Sequence, residues 1–155
     1  METKKPIIFF GCAMRGGQNE VSEAQLRELQ TSIETELDCI LATKHQTKEN
    51  AIALEDRLPS EEIHDRNWHL IQDSDICIFE ISNPSLGVGA EIADALHLSK
   101  PVLALWSGKI DETKISAYIR GKKDSKHTDN FSIEKYANTK EALSLISALL
   151  EKGNN

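Results

Sequence analysis

At 155 residues, with 39% hydrophobic and 28% charged side chains, the chain has the length and composition of one soluble domain able to bury a core between helical layers. A net charge of −7 argues against general affinity for nucleic-acid backbones, which are bound by clustered Lys and Arg, but leaves room for one arginine and a ring of backbone amides to hold a small anion. Cys12, Cys39 and Cys77 are odd in number and lack CxxC spacing, which disfavours a disulfide scaffold or structural zinc and fits a reducing compartment.

The N-terminal METKKPIIFFG has too short an apolar run for a signal peptide, and no segment is long enough to span a bilayer, so the expected location is the cytoplasm. Ile7 to Phe10, ending in Gly11, reads as a strand buried on both faces, followed by a loop from Cys12 to Asn19. Leu26, Leu29, Ile33 and Leu37 recur at helical spacing between Val21 and Leu37. Cys39 to Ala42 reads as a second short strand, and the polar stretch Thr47 to Leu58 as a loop with some helix. Pro59-Ser60-Glu61-Glu62 looks like a helix start with Ser60 as cap; that helix carries Ile63, Trp68 and Ile71 and ends near Asp73. Asp75 to Ile81 (DICIFEI) is the clearest buried strand, broken by Asn83-Pro84-Ser85. A helix of small and apolar residues follows from Gly89 to Leu98, then a strand from Pro101 to Trp106. Thr113 to Ile119 reads as helical, Gly121 to Asn130 as a charged surface loop with a solvated Lys122-Lys123 pair, and Phe131 to Ile133 as a short fifth strand. Leu143, Ile146, Leu149 and Leu150 mark a final amphipathic helix.

Strands alternating with helices predict an α/β fold: a Rossmann- or flavodoxin-like three-layer sandwich over residues 1–155, with a five-stranded parallel sheet in the order 2-1-3-4-5. In such sheets ligands bind beyond the carboxyl ends of the strands, at the crevice between strands one and three. The two most glycine-rich segments fall there: Arg15-Gly16-Gly17 after strand one and Gly87-Val88-Gly89 after strand three. Free amides at a helix start attract an anion, Ser85 adds a hydroxyl, and an arginine beside glycines can fork onto a phosphate. Glu91, expected in the first helical turn where the dipole favours its ionised form, is suited to attack a sugar's anomeric carbon. Each segment alone also fits a plain tight turn or a solvated loop. His45, His64, His69, His97 and His127 show no metal-ligand spacing, so no metal or cofactor is expected. Cys39 and Cys77 read as strand core, Trp68 as helix packing, and His45 as a residue able to approach a base from the loop after strand two.

Three segments together, the RGG loop, the block Ile63 to Trp106 containing PSLGVGAE and KPVLALW, and ISAYIRG, resemble the 2′-deoxynucleoside 5′-monophosphate N-glycosidases (N-hydrolases), relatives of the nucleoside 2-deoxyribosyltransferases. The likeness runs in order from residue 7 to residue 121. It implies a homodimer that converts a small nucleotide to free base and sugar 5-phosphate without metal, and has no nucleic-acid polymer or membrane as partner. Glu91 matches the family nucleophile, and Gly11, Arg15, Gly16, Gly17, Ser85, Gly87 and Gly89 match the phosphate and sugar surroundings. Ser116 matches a serine reaching the phosphate of the neighbouring subunit's site.

The chain departs from the family pattern in places. Asn67 stands where an aspartate is usual, and asparagine can hydrogen-bond a sugar hydroxyl but cannot act as acid or base; Asp65, two residues away, points elsewhere on a helix. The usual GSIRGG is replaced by GCAMRGG, which puts Ala13 at the phosphate-binding serine, or Cys12 if one residue is inserted. Phe9 replaces a frequent tyrosine. The expected chemistry is a retaining double displacement through Glu91 with Asn67 beside it. Transfer of the sugar to a second base, and nucleotide binding without turnover, are the alternatives.

Overall fold

Strict alternation of large apolar side chains along each central strand requires two covering layers, and the computed structural model, which describes residues 4–14 and 20–153, has them. Five strands, β1 (Ile7–Gly11), β2 (Ile40–Leu41), β3 (Ile76–Glu80), β4 (Val102–Ser107) and β5 (Phe131–Tyr136), pair in parallel in the order β2-β1-β3-β4-β5. That is the expected order. Ile8, Phe10, Ile76, Ile78, Leu103 and Leu105 face one layer, formed by α1 (Glu23–Glu36) and α6 (Thr139–Gly153), where they meet Leu29, Ile33 and Ile146. Their alternates Phe9, Cys77, Phe79, Val102 and Ala104 face α3 (Ser60–Asp73) and α4 (Leu86–His97), against Ile71, Ile92 and Ala95. Phe9, where the family often has a tyrosine, is fully buried in this second layer, its ring 5.7 Å from that of Phe79.

Several boundaries differ from the sequence reading. β2 is only two residues long because Thr43, fully buried, takes over its role at the edge: its Oγ1 accepts from Phe10 N at 3.2 Å and donates to Phe10 O at 2.9 Å. The polar stretch after it holds a 3-10 turn at Lys44–Thr47 and a short helix, α2 (Ala51–Glu55). Ser60 is the first residue of α3 rather than its cap; Pro59 holds the cap position in extended geometry, with no side-chain bond. The segment after β4 is a 3-10 turn at Glu112–Lys114 followed by the four-residue α5 (Ala117–Arg120), not one helix. β5 runs to Tyr136, beyond the expected end at Ile133. At the end of α4, Ser99 takes a positive φ and Lys100 N reaches back to Ala95 O at 2.9 Å, closing the helix without a glycine.

Candidate active site

The direction of chain travel across the sheet reverses between β1 and β3, so the loops leaving their carboxyl ends diverge and open a crevice. Asn83 joins the two loops. Its Oδ1 accepts from Val21 N at 3.0 Å and its Nδ2 donates to Val21 O at 2.8 Å, tying the end of the first loop to the start of the third. Read in sequence only as a strand breaker, Asn83 is therefore a buried staple between the loop after β3 and the segment that leads into α1.

α4 begins at Leu86 rather than Gly89, because Ser85 caps it: its Oγ accepts from Val88 N at 3.3 Å, which offsets the helical cost of two glycines. Glu91 consequently lies in the second turn, beyond the reach of a first-turn dipole effect. Its environment acts in the opposite sense to that expected. Burial pushes the carboxyl up to about 7, with Glu55 and Asp94 adding to the rise, while the Asn67 hydrogen bond and the Arg66 charge pull it back. Asn67 Nδ2 donates to Glu91 Oε1 at 2.8 Å. At neutral pH both the protonated and the ionised form of the carboxyl are populated.

Glu91 and Asn67 line a cavity of about 450 Å³ together with Cys12, Met14, Gln46, Glu55 and the segment Pro84–Val88. One wall is thus the capped start of α4, where amide groups favour an anion, and the other is built from α2, α3 and the turn after β2. A Cβ on Gly87 would meet only Ser85 Oγ, at 3.8 Å, so a ligand can approach the backbone there. Gly11 is different: a Cβ there would fall 2.6 Å from the Phe79 ring and 3.1 Å from Glu91 Oε2. It makes room for the carboxylate rather than for a ligand. Burial, with Glu80 and Glu91, pushes the Cys12 thiol up to about 12, so it stays protonated in the cavity wall.

Other expected site residues are placed elsewhere or not described. Ala13 lines a small hollow beside α1 and α2 that shares Cys12, Met14 and Gln46 with the Glu91 cavity. Arg15, Gly16 and Gly17 lie outside the described residues. Gly89 and Ser116 line a second groove of about 700 Å³, on the far side of the Pro84–Val88 segment from Glu91. Ser116 caps α5, its Oγ accepting from Ile119 N at 3.5 Å, and is exposed. Trp68 is half-buried and stacks on His64 along α3, with ring centroids 6.3 Å apart. His45 has a buried Nε2 with no hydrogen-bond partner among the described residues. Gln46, Glu55 and Arg66 were not singled out from the sequence; they sit in or beside polar stretches without periodicity, where nothing marks one side chain as inward.

Glu80 was also missed, although a lone acid inside DICIFEI is a visible anomaly. It is fully buried at the end of the central strand, accepting from the Ser82 hydroxyl, from Ser82 N at 3.3 Å and from Tyr136 Oη at 3.2 Å. Burial nonetheless pushes it up to about 7. A carboxyl raised in the folded state stabilises the fold below its unfolded value, near 4.3, and loses that contribution as pH climbs to about 7. The loss is on the order of 3 kcal/mol. Thermal unfolding between pH 5 and 8 should therefore show a falling Tm in the wild type and a flatter line in Glu80→Gln; parallel lines would refute the buried ionisation.

No family model matches the chain. It is 31% identical over 143 residues, 92% of this chain and 94% of the other, to a Thermofilum pendens protein provisionally named 2′-deoxynucleoside 5′-phosphate N-hydrolase 1. The chain belongs to that N-hydrolase family. Human 5-hydroxymethyl-dUMP N-hydrolase is 29% identical over 131 residues, 79% of this chain and 69% of the human protein. Among solved structures, Clostridium botulinum CMP N-glycosidase aligns with a TM-score of 0.63 at 17% identity, covering 92% of this chain and 98% of its own, a likeness of fold. The N-hydrolase assignment and the five-stranded parallel sheet agree with the reading of the sequence. Among the described residues no His, Cys, Asp or Glu cluster could hold a metal ion, and no helix is long and apolar enough to cross a membrane.

Proposed function

We propose that this chain hydrolyses the N-glycosidic bond of deoxy- or ribonucleoside 5′-monophosphates, releasing free base and sugar 5-phosphate, with Glu91 as nucleophile. The observation that carries the proposal is the Glu91 carboxyl, held by Asn67 at the floor of a cavity whose opposite wall is the Ser85-capped start of α4. That arrangement matches a nucleotide laid with its phosphate at the helix start and its anomeric carbon over the carboxylate. In the first displacement a Glu91 oxygen bonds C1′, the C1′–N bond breaks, and its electron pair leaves with the base, which takes up a proton. In the second, water attacks C1′, gives up a proton and releases the Glu91 carboxylate. The names of the relatives, N-hydrolases of deoxynucleoside 5′-phosphates and of 5-hydroxymethyl-dUMP, support this substrate class.

We assign the phosphate to Ser85, Gly87 and the Arg15-Gly16-Gly17 loop, completed by Ser116 of the partner subunit in a homodimer working in the reducing cytoplasm, where Cys12, Cys39 and Cys77 stay thiols. Two exposed side chains, Leu86 (97%) and Tyr118 (80%), flank the groove that holds Ser116, and a second subunit would cover them. Incubation with deoxynucleoside monophosphates should yield free base and deoxyribose 5-phosphate in equal amounts, with or without an added acceptor base. A new nucleotide formed on the acceptor would make the chain a transferase; unchanged substrate would remove the proposal. The dimer has its own test. Glu91→Gln and Ser116→Glu, each inactive alone, should recover on mixing about a quarter of the wild-type activity, the statistical share of intact sites in random symmetric dimers. Zero recovery would place Ser116 in its own subunit's site or outside the chemistry.

A further inference from the structure

We propose that Arg66 is a positioning residue: clamped by Glu55, it turns the Asn67 amide so that its nitrogen, not its oxygen, faces Glu91. The inference rests on Glu91 being the nucleophile, and it explains how an asparagine serves beside it.

Four side chains form one line. Arg66 Nη2 donates to Glu55 Oε1 at 2.5 Å, Arg66 Nε donates to Asn67 Oδ1 at 3.1 Å, and Asn67 Nδ2 donates to Glu91 Oε1 at 2.8 Å. The two ends of an amide are nearly the same shape, so packing alone does not choose between them. A guanidinium has donors only, so whichever end it touches must be the oxygen. The nitrogen is then left for the carboxylate. The clamp is held rather than solvated: the Arg66 and Glu55 side chains are 28% and 13% exposed. The pair joins α3 to α2, so Glu55 fixes the guanidinium from the neighbouring helix of the same wall.

Without Arg66 the amide is free to turn. Its oxygen can then accept from a protonated Glu91, so the form that cannot act as a nucleophile is no longer disfavoured. The charged and titratable groups around Glu91 sharpen the effect. Glu55 comes from α2, Arg66 from α3, Asp94 from its own helix, Cys12 from the end of β1 and Cys77 from β3. Among the described residues Arg66 is the cation of that set, so its loss removes both the orienting donor and a favourable charge.

The test follows Glu91 directly and through turnover, in the full chain. Carboxyl carbon NMR on 13C-glutamate-labelled protein, with Glu91 assigned by its absence in Glu91→Gln, reports the carboxyl's titration; kcat against pH reports its use. In Arg66→Met the titration should move up, and kcat at pH 6 should fall roughly tenfold while kcat at pH 9 approaches wild type, with KM little changed. Asn67→Ala should shift the same limb, and the double variant should fall well short of the sum of the two shifts, since beyond its direct charge the arginine acts through the amide. Arg66→Lys, which keeps the charge but cannot fork onto Glu55 and Asn67 together, should lie between wild type and Arg66→Met; it also serves if the methionine variant does not fold. An unmoved Glu91 titration in Arg66→Met, or a double variant whose shifts add, would overturn the proposal. If the titration moves while wild type releases no base, the positioning stands and the hydrolase reading falls.

Discussion

Glu91→Gln should lower the release of free base by about a thousandfold or more, the scale seen when a covalent nucleophile is removed while its binding site is left in place. Glutamine is close to isosteric, and its oxygen can still accept from Asn67 Nδ2 as Glu91 Oε1 does. The substitution thus removes the nucleophile and spares the packing, so substrate binding should persist, seen as ligand-induced thermal stabilisation equal to wild type. The pH dependence separates this loss from a trivial one. Because burial pushes the Glu91 carboxyl up to about 7, wild-type kcat/KM should rise with pH as the group ionises and level off above that value. The residual rate of the variant should be flat over the same range. Equal release by the two proteins, or a rising limb retained in Glu91→Gln, would take Glu91 out of the mechanism.

Gly11→Ala should cost about 1–3 kcal/mol, the range for overpacking a core, and with it most of the activity. The added methyl group would sit 2.6 and 2.8 Å from two Phe79 ring carbons and 3.1 Å from Glu91 Oε2. Phe79 is fully buried and packed on Phe9, so its ring has nowhere to retreat. The softer neighbour is Glu91, whose displacement would break its 2.8 Å bond to Asn67. A domain of this size loses roughly 2–4 °C of Tm per kcal/mol, so unfolding by calorimetry resolves the effect. Gly87→Ala is the control. Its methyl group would meet only Ser85 Oγ, at 3.8 Å, so stability should change little, while KM for the nucleotide should rise as the helix start is obstructed. A Gly11→Ala variant as stable and active as wild type would show that the strand end has slack the structure lacks.

The two glycines illustrate what was readable. Gly87 belongs to a segment that pattern assigned to a ligand, whereas Gly11 was matched to the substrate surroundings through the family likeness. Only one faces the cavity; the other is a notch for a carboxylate, a distinction made by Phe79 and Glu91, far away in sequence. Likewise Gly89 was grouped with Glu91, yet it lines a different groove, together with Ser116, which the family likeness gives to the neighbouring subunit's site. The α4 boundary was misplaced because helix propensity counts glycines as breakers, whereas the Ser85 cap and burial of Val88, Ile92 and Ala95 decide where the helix starts.

The strands and their order were determined by the sequence itself: apolar runs bounded by breakers, alternating with helical spacing, admit few sheets other than a parallel one covered on both faces. The position of the candidate nucleophile at the switch point followed from the same pattern. The tertiary structure decided the rest, namely the company Glu91 keeps. Asn67, Arg66 and Glu55 reach it from other helices, Asn83 ties the loops together, and burial lifts its carboxyl. Periodicity reports which face of an element is buried, but a hydrogen bond between two polar side chains depends on how separate elements pack, and that leaves no local trace.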